Sequence, residues 1–124
     1  MTNGKTTIAF DFDWTLRFPD GDPVEKNVKL FHRFKRNGHT VYIVTSRPSD
    51  MFADLEAFVK QHNLQPDGIF YTEGQSKAPT LKKLDVDVFF DDDDVEIDDA
   101  TDANIKAFLV WSGLHTEKWN SKYN

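Results

Sequence analysis

Residues Ile8–Leu16 read IAFDFDWTL, an apolar run that ends in two carboxylates one residue apart. The segment Thr6–Phe10 is continuously apolar rather than alternating, which predicts a strand covered on both faces of a sheet. Asp11 and Asp13 then lie at the carboxyl end of this strand. Two like charges in a poorly solvated cleft repel each other unless a positive group lies opposite them. The stretch therefore predicts a functional site where the first strand ends.

Four later segments share this continuous apolar character and predict further parallel strands. They are Thr40–Val44, Gly68–Tyr71, Val86–Phe90 and Ile105–Trp111. Helical patterns lie between them, and alternation of strands and helices is typical of a sheet with right-handed crossovers. We expect a doubly wound, Rossmann-like α/β fold: a five-stranded parallel sheet with helices on both faces, forming a single domain over residues 1–124.

The first helix carries the clearest boundary signals. Asp22 is its expected N-cap, Pro23 its first residue and Glu25 the third position of a capping box, and Asn37-Gly38 ends it. The second helix follows Pro48, and its predicted buried face comprises Met51, Leu55, Phe58 and Val59. The third and fourth helices are expected at Pro79–Leu84 and Asp94–Ala103.

Composition excludes several classes of site. The chain has no cysteine, so disulfides, zinc–thiolate sites and a cysteine nucleophile are excluded. It lacks an apolar run long enough to span a membrane and a signal-peptide pattern, so a cytoplasmic protein with no membrane partner is expected. The net charge is −6, yet eight acids crowd Asp91–Asp102 while five basic residues and no acid occupy Lys26–Arg36. This asymmetry is compatible with an anionic substrate that approaches from the basic side.

The residues with the richest chemistry come immediately after predicted strands. Ligands of doubly wound sheets bind at the carboxyl ends of the strands. Oxygen donors without histidine or cysteine favour Mg²⁺, which keeps several waters and leaves room for a phosphate oxygen. In such a site one carboxylate can attack phosphorus and a second can move the proton. The residues concerned are Asp11 and Asp13 after strand 1, Thr45, Ser46 and Arg47 after strand 2, and Asp91 and Asp92 after strand 4.

Four ordered motifs of this sequence resemble those of the haloacid dehalogenase superfamily. They are the strand end D-F-D-W-T (Asp11–Thr15), Thr45, a lysine in GQSKAPTLKKL, and the pair Asp91-Asp92. The resemblance spans about residues 6 to 110. The second aspartate of the first motif is absent from the dehalogenase branch, so the resemblance implies phosphatase chemistry through an aspartyl-phosphate. Too few residues separate the motifs for a cap domain, which implies a capless member.

The resemblance also implies individual roles. Asp11 matches the nucleophile, Asp13 the general acid and base, and Thr45 the phosphate-binding hydroxyl. Lys77 is the first choice for the motif lysine, with Lys82 and Lys83 as second choices. The implied Mg²⁺ ligands are Asp11, Asp13, Asp91 and Asp92. Within the acidic pair, Asp92 is favoured over Asp91 as the direct ligand. Because Asp93 is also acidic, the alignment of this motif with the family stays open by one residue.

The open cleft of a capless member implies a large phosphorylated substrate, such as a nucleic-acid end, or a nucleotide. Thr45-Ser46-Arg47 is similar to the S-G-R turn of polynucleotide 3′-phosphatase domains, which makes Ser46 and Arg47 candidate substrate contacts. Trp14 stands where the family commonly has glycine. Its ring is a further candidate contact, with packing beneath the segment Leu16–Pro23 as the alternative.

Two other functions use similar residues. A phospho-accepting receiver domain has this length and fold, but it places its phosphorylated Asp after strand 3 and its Lys after strand 5. Here the corresponding residues are Tyr71-Thr72-Glu73 and Trp111-Ser112-Gly113. A catalytically idle relative that binds phosphate or a partner is the second alternative, although no motif residue is missing.

Overall fold

The computed structural model describes residues 5–110 of the 124-residue chain. Five parallel strands form one sheet in the order β3-β2-β1-β4-β5, with β1 at its centre. The elements in chain order are β1 (Thr7–Phe10), α1 (Glu25–Arg36), β2 (Thr40–Thr45), α2 (Ala53–Gln61), β3 (Gly68–Tyr71), α3 (Ala78–Lys83), β4 (Val88–Asp91), α4 (Asp94–Asp102) and β5 (Lys106–Leu109).

The sheet is buried on both faces, as its continuous apolar strands predict. One core cluster packs α1 and α2 against the sheet and includes Phe10, Phe31 and Phe58. A second cluster on the other face joins α3 and α4 to the sheet through Leu81, Phe89 and their neighbours. The predicted doubly wound fold is therefore confirmed. No helix within residues 5–110 is long and apolar enough to cross a membrane.

The predicted capping box of the first helix is wrong. Helix α1 begins at Glu25, and its N-cap is Val24 in an extended conformation with no side-chain cap. Backbone pairing with the preceding loop explains the difference: the amide of Val24 donates to Leu16 (2.8 Å), and Pro23 pairs with Arg17 in an isolated bridge. Pairing with the loop fixes these residues in an extended form, so the helix cannot start at Pro23.

The second helix also begins later than predicted. Met51 and Phe52 are exposed, and α2 starts at Ala53. Arg47 donates from Nη1 to the carbonyl of Met51 (3.0 Å), and this contact holds residues 48–51 as a turn before the helix. Met51 was therefore wrongly placed on the buried face, whereas Leu55 and Phe58 are buried there.

The remaining boundaries differ by small amounts. Strand β2 extends to Thr45, and β4 and β5 begin at Val88 and Lys106. The predicted end of the last strand at Trp111 lies outside the described residues. Residues 14–24 form a short segment, called the flap below, which two isolated bridges close. Within residues 5–110 no further domain is inserted beside the motifs, in agreement with a capless architecture.

Replacing Phe31 with alanine should lower the free energy of unfolding by about 3–5 kcal/mol, because its fully buried ring packs 5.3 Å from that of Phe10. Phe52→Ala is the matched control, since its ring is 47% exposed and should cost about 1 kcal/mol or less. Denaturant unfolding measures both. Equal losses for the two variants would contradict the assigned core.

Candidate active site at the carboxyl edge of the sheet

The three central strands bring the predicted site residues together. Because β2, β1 and β4 are neighbours in parallel register, their carboxyl ends meet at one edge of the sheet. Asp11 follows β1, Thr45 ends β2 and Asp91 ends β4. Lys77 arrives from the residue before α3. These four side chains are all buried, so the chain places three charged groups and a hydroxyl in a poorly solvated space.

Asp11 is held on both of its carboxylate oxygens. Its Oδ1 accepts from Lys77 Nζ at 2.7 Å, and its Oδ2 accepts from Thr15 Oγ1 at 2.9 Å. Its own amide donates to the carbonyl of Phe90 on β4 (2.9 Å). Thr15 belongs to the first motif, but sequence reasoning gave it no role. The structure shows that it orients the carboxylate.

Lys77 lies between two carboxylates. Its ammonium donates to Asp11 and to Asp91 Oδ2, each at 2.7 Å. Burial favours the neutral amine, but the two negative charges outweigh it and raise the pKa of Lys77 above its ordinary value. Its backbone amide is capped by Glu96 Oε1 (3.0 Å), which anchors the start of α3 to α4. Lys82 and Lys83 are exposed and do not enter the site.

Three acids form a compact group of oxygen donors. Asp11, Asp91 and Asp92 each offer one oxygen atom, and these atoms lie within 4.8 Å of one another. Burial and the nearby charge of Asp11 raise the pKa of Asp91 to about 7 and that of Asp92 to about 9. Asp93 is not a member, since its side chain caps α4 by accepting from the amide of Val95 (2.9 Å). The geometry thus groups Asp91 and Asp92, and not Asp93, with Asp11.

A divalent cation fits this group. Lys77 supplies one positive charge against three carboxylates, so ionisation of all three leaves an excess of negative charge in a buried space. The raised pKa values of Asp91 and Asp92 express this excess. Oxygen-only donors are the set that Mg²⁺ prefers, and a bound cation removes the cost of ionising the acids. The residues that would hold the metal are Asp11, Asp91 and Asp92.

Asp13 has a different environment from the one predicted for a metal ligand. Arg47 binds its carboxylate with two hydrogen bonds, from Nε and Nη2, both at 2.8 Å. The side chain of Asp13 is 40% exposed and is not part of the three-acid group. Asp13 therefore lies at the solvent-accessible side of the site, whereas Asp11 and Asp91 are buried.

Arg47 forms several contacts with other side chains of the protein. Besides Asp13, it binds Asp54 of α2 through Nη1 at 2.5 Å and Nη2 at 3.3 Å. Its guanidinium carbon lies 5.2 Å from the ring centroid of Phe12. The hydrogen bond to Asp13 is the main cause of its raised pKa. The sequence analysis did not identify Asp54 as a site residue. Its position seven residues after Arg47 is the one feature of the sequence that could have indicated this contact.

Thr45 and Ser46 differ in access. Thr45 is buried, and its Oγ1 accepts from the amide of Arg47 at 3.2 Å, which leaves its own hydrogen free to donate toward a ligand. Ser46 is exposed at the rim. The two hydroxyls therefore sit at different depths of the same turn.

Trp14 adopts a left-handed backbone conformation with φ of 67°. This region costs a bulky residue roughly 1–2 kcal/mol relative to glycine. The turn requires it, because the amides of Thr15 and Leu16 both donate to the carbonyl of Phe12. The half-buried indole packs edge-to-face on Phe18 at 5.9 Å. The ring thus contributes to the packing of the flap beside the site.

A sequence model described as 5′-nucleotidase matches residues 22–117. The chain belongs to the 5′-nucleotidase family. The prediction of a haloacid dehalogenase-type phosphomonoesterase is thereby confirmed. The match begins after the first motif, so Asp11–Thr15 is placed in the site by the geometry above. No curated protein shows significant sequence similarity to the chain.

Solved structures show the same fold at low identity. A chain of the Pnkp1/Rnl/Hen1 RNA repair complex superposes with a TM-score of 0.71 at 16% identity, covering 88% of this chain and 43% of that one. The D,D-heptose 1.7-bisphosphate phosphatase from B. bronchiseptica, complexed with magnesium and phosphate, gives 0.65 at 15% identity over 94% and 86% of the two chains. An uncharacterized protein from Corynebacterium glutamicum gives 0.65 at 16% identity over 96% and 92%.

The stability of the metal-free protein should fall as the pH rises from about 4 to about 9. The pKa values of Asp91 and Asp92 are raised in the folded state, to about 7 and about 9, from an unfolded value of about 3.9. An acid with a raised folded pKa contributes stability below its unfolded pKa and loses it as the pH passes the folded pKa. Thermal unfolding in chelator across this range measures the effect.

Mg²⁺ should raise the melting temperature more at pH 9 than at pH 5, because it binds the ionised acids. Asp92→Asn should flatten the pH profile, whereas Asp98→Asn, at an exposed position of α4, should leave it unchanged. A metal-free stability that rises toward pH 9 would contradict the assigned charge excess.

Proposed function

We propose that this chain is a Mg²⁺-dependent phosphatase that hydrolyses a nucleotide-type phosphomonoester through an aspartyl-phosphate on Asp11. The observation that carries the proposal is the arrangement of Asp11. Its carboxylate is fixed by Lys77 and Thr15 and lies within 4.8 Å of the donor oxygens of Asp91 and Asp92. An oriented carboxylate beside a cation site is the arrangement that phosphoryl transfer to an acid requires.

In the first step a carboxylate oxygen of Asp11 attacks phosphorus while the bond from phosphorus to the leaving oxygen breaks. Arg47 releases one oxygen of Asp13 when substrate enters, so that this oxygen can carry the proton that Asp13 donates to the leaving oxygen. In the second step Asp13 accepts a proton from water as the water oxygen attacks the phosphoryl group, which releases inorganic phosphate and restores Asp11. The partial exposure of Asp13 supports this role, because the same side chain must meet first the leaving group and then water.

Charge stabilisation comes from the groups around the nucleophile. The ammonium of Lys77 lies 2.7 Å from Asp11 Oδ1, and the Thr45 hydroxyl can donate to a phosphoryl oxygen. A Mg²⁺ ion held by Asp11, Asp91 and Asp92 would offset the charge of the phosphoryl group and polarise its P–O bonds. The heptose bisphosphate phosphatase, which has the same fold and is complexed with magnesium and phosphate, supports magnesium as the cation.

Two observations favour a nucleotide-type substrate. The family description names nucleotides, and the absence of an inserted cap within residues 5–110 leaves the cleft open to a group larger than a sugar phosphate. The receiver-domain alternative is disfavoured by the residue that follows β3. A receiver domain has a phosphorylatable Asp at this position, whereas this chain has Thr72, whose hydroxyl donates to the carbonyl of Gln75 (2.9 Å).

Asp11→Asn should lower kcat on p-nitrophenyl phosphate by about 10³-fold or more, because the amide is not a nucleophile. Circular dichroism and thermal unfolding should show a preserved fold, since the change removes one of three repelling charges. Asp98→Asn, a matched change on the exposed face of α4, should retain full activity. Near-normal activity of Asp11→Asn would overturn the nucleophile assignment.

Excess chelator should abolish hydrolysis of p-nitrophenyl phosphate, and added Mg²⁺ should restore it, because without a cation the negative charge of the phosphoryl group would lie unbalanced beside Asp11, Asp91 and Asp92. Steady-state assays with and without chelator measure this. Activity that survives chelation at pH 7 would contradict the metal role while leaving the nucleophile open to the separate test above.

A further inference from the structure

Helix α1 presents a row of basic side chains to solvent. Lys26, Lys29, Arg33 and Arg36 recur at spacings of three, four and three residues, which places them on one helical face. All four are exposed. We call this set the basic stripe. Together with Leu30 and His32, its members line a surface groove of about 490 Å³.

The positive charges of the basic stripe have no ion-pair partner within residues 5–110. Within residues 5–110 none of its four members forms an ion pair, whereas Lys35, on the same helix, binds Asp67 at 2.9 Å. The chain as a whole has a net charge of −6, so four unpaired positive charges on one face are a strong local departure from its average. Packing does not explain them either, because the buried face of α1 comprises Val28 and Phe31.

The stripe begins next to the active site. Asn27 of the first turn of α1 donates from Nδ2 to the carbonyl of Thr15 at 2.8 Å, and the hydroxyl of Thr15 donates to Asp11 at 2.9 Å. From Lys26 to Arg36 the helix rises about 15 Å, at 1.5 Å per residue. In B-form DNA successive nucleotides of one strand rise 3.4 Å along the duplex axis, so this length corresponds to about four nucleotide steps.

We propose that the basic stripe binds the sugar-phosphate backbone of a nucleic-acid strand whose terminal phosphate enters the active site. The proposal rests on the proposed phosphatase function and narrows its substrate from a nucleotide to an oligonucleotide end. A mononucleotide places its phosphate at Asp11 and has no further phosphates to reach Arg33 or Arg36. A polyanion that continues from the site along α1 uses all four charges.

A second copy of the chain is the competing occupant, through its acidic helix α4. In each copy α1 and α4 pack on opposite faces of the sheet, in separate core clusters. A contact from α1 of one copy to α4 of the next is therefore head-to-tail, and such contacts produce open chains unless the rotation closes a ring. The continuity of the stripe with the active site favours the nucleic-acid strand.

The test compares one small and two large substrates in the presence of Mg²⁺: p-nitrophenyl phosphate and single-stranded DNA decamers carrying a 3′- or a 5′-phosphate. The triple variant Lys26→Gln, Lys29→Gln, Arg33→Gln should lower kcat/KM for the preferred decamer by about tenfold or more at low salt. It should leave kcat/KM for p-nitrophenyl phosphate unchanged. The slope of log kcat/KM for the decamer against log salt should become shallower by about 2, since each phosphate contact contributes about 0.7 on a single strand.

The matched control is Lys60→Gln, Lys83→Gln, Lys106→Gln, which removes three exposed lysines from other elements. It should leave decamer hydrolysis near normal. Equal loss in both triple variants would overturn the stripe, because the effect would then come from net charge alone. A decamer that wild-type protein hydrolyses no better than p-nitrophenyl phosphate, with no steeper salt dependence, would overturn it as well.

A measurement of decamer binding tests the basic stripe independently of the proposed catalysis. Fluorescence anisotropy of a labelled decamer with the Asp11→Asn protein should show binding that the stripe substitutions weaken. If wild-type protein leaves p-nitrophenyl phosphate and both decamers intact, the proposed function fails, while this binding still decides the stripe. Sedimentation of the two triple variants completes the test: a change of oligomeric state with the stripe variant alone would assign the stripe to a second copy and overturn the proposal.

Discussion

The ammonium of Lys77, 2.7 Å from both Asp11 and Asp91, is the contact on which the rest of the site depends. It joins the ends of β1 and β4, and it fixes the start of α3 beside both. Without it, two buried carboxylates would face each other in a space that solvates neither. Even with it the site holds excess negative charge, and this excess is what makes a divalent cation the natural further partner of Asp11, Asp91 and Asp92.

A second ion-pair network controls the open side of the same edge. Arg47 joins Asp13 after β1 to Asp54 on α2, and Arg17 of the flap lies 3.7 Å from Asp54. The flap, the β2–α2 turn and the acid proposed to transfer protons are therefore linked through Arg47 and the carboxylate of Asp54. Trp14 shapes the flap beside this region, since its left-handed backbone turns the chain and its ring packs on Phe18. The buried charges of Lys77, Asp11 and Asp91 thus lie at the centre of the site, and the pair of Arg47 and Asp13 lies at its solvent-accessible side.

Much of the fold could be predicted from the sequence, because parallel strands that are covered on both faces consist of continuous apolar segments. The prediction for Gly68–Tyr71 is correct to the residue, and the other strands differ by one or two positions at one or both ends. The starts of α1 and α2 were harder to predict, whereas α4 begins at the predicted Asp94. Asp22-Pro23 has the local signals of a capping box, but the pairing of Val24 with Leu16 overrides them. Met51 fits an apolar helical pattern, but Arg47 holds its carbonyl in a turn. In both cases a contact with another part of the chain outweighed local propensity.

The sequence by itself determined the fold class, the strand ends that carry chemistry and the identity of Asp11, Thr45 and Asp91 as neighbours, because register in a parallel sheet fixes where strand ends meet. Only the tertiary structure decided which lysine enters the site, that Asp13 faces Arg47 rather than the three-acid group, and that Asp54 and Thr15 take part. Those assignments depend on side chains from separate elements that approach within hydrogen-bonding distance, and spacing along the chain does not encode that distance.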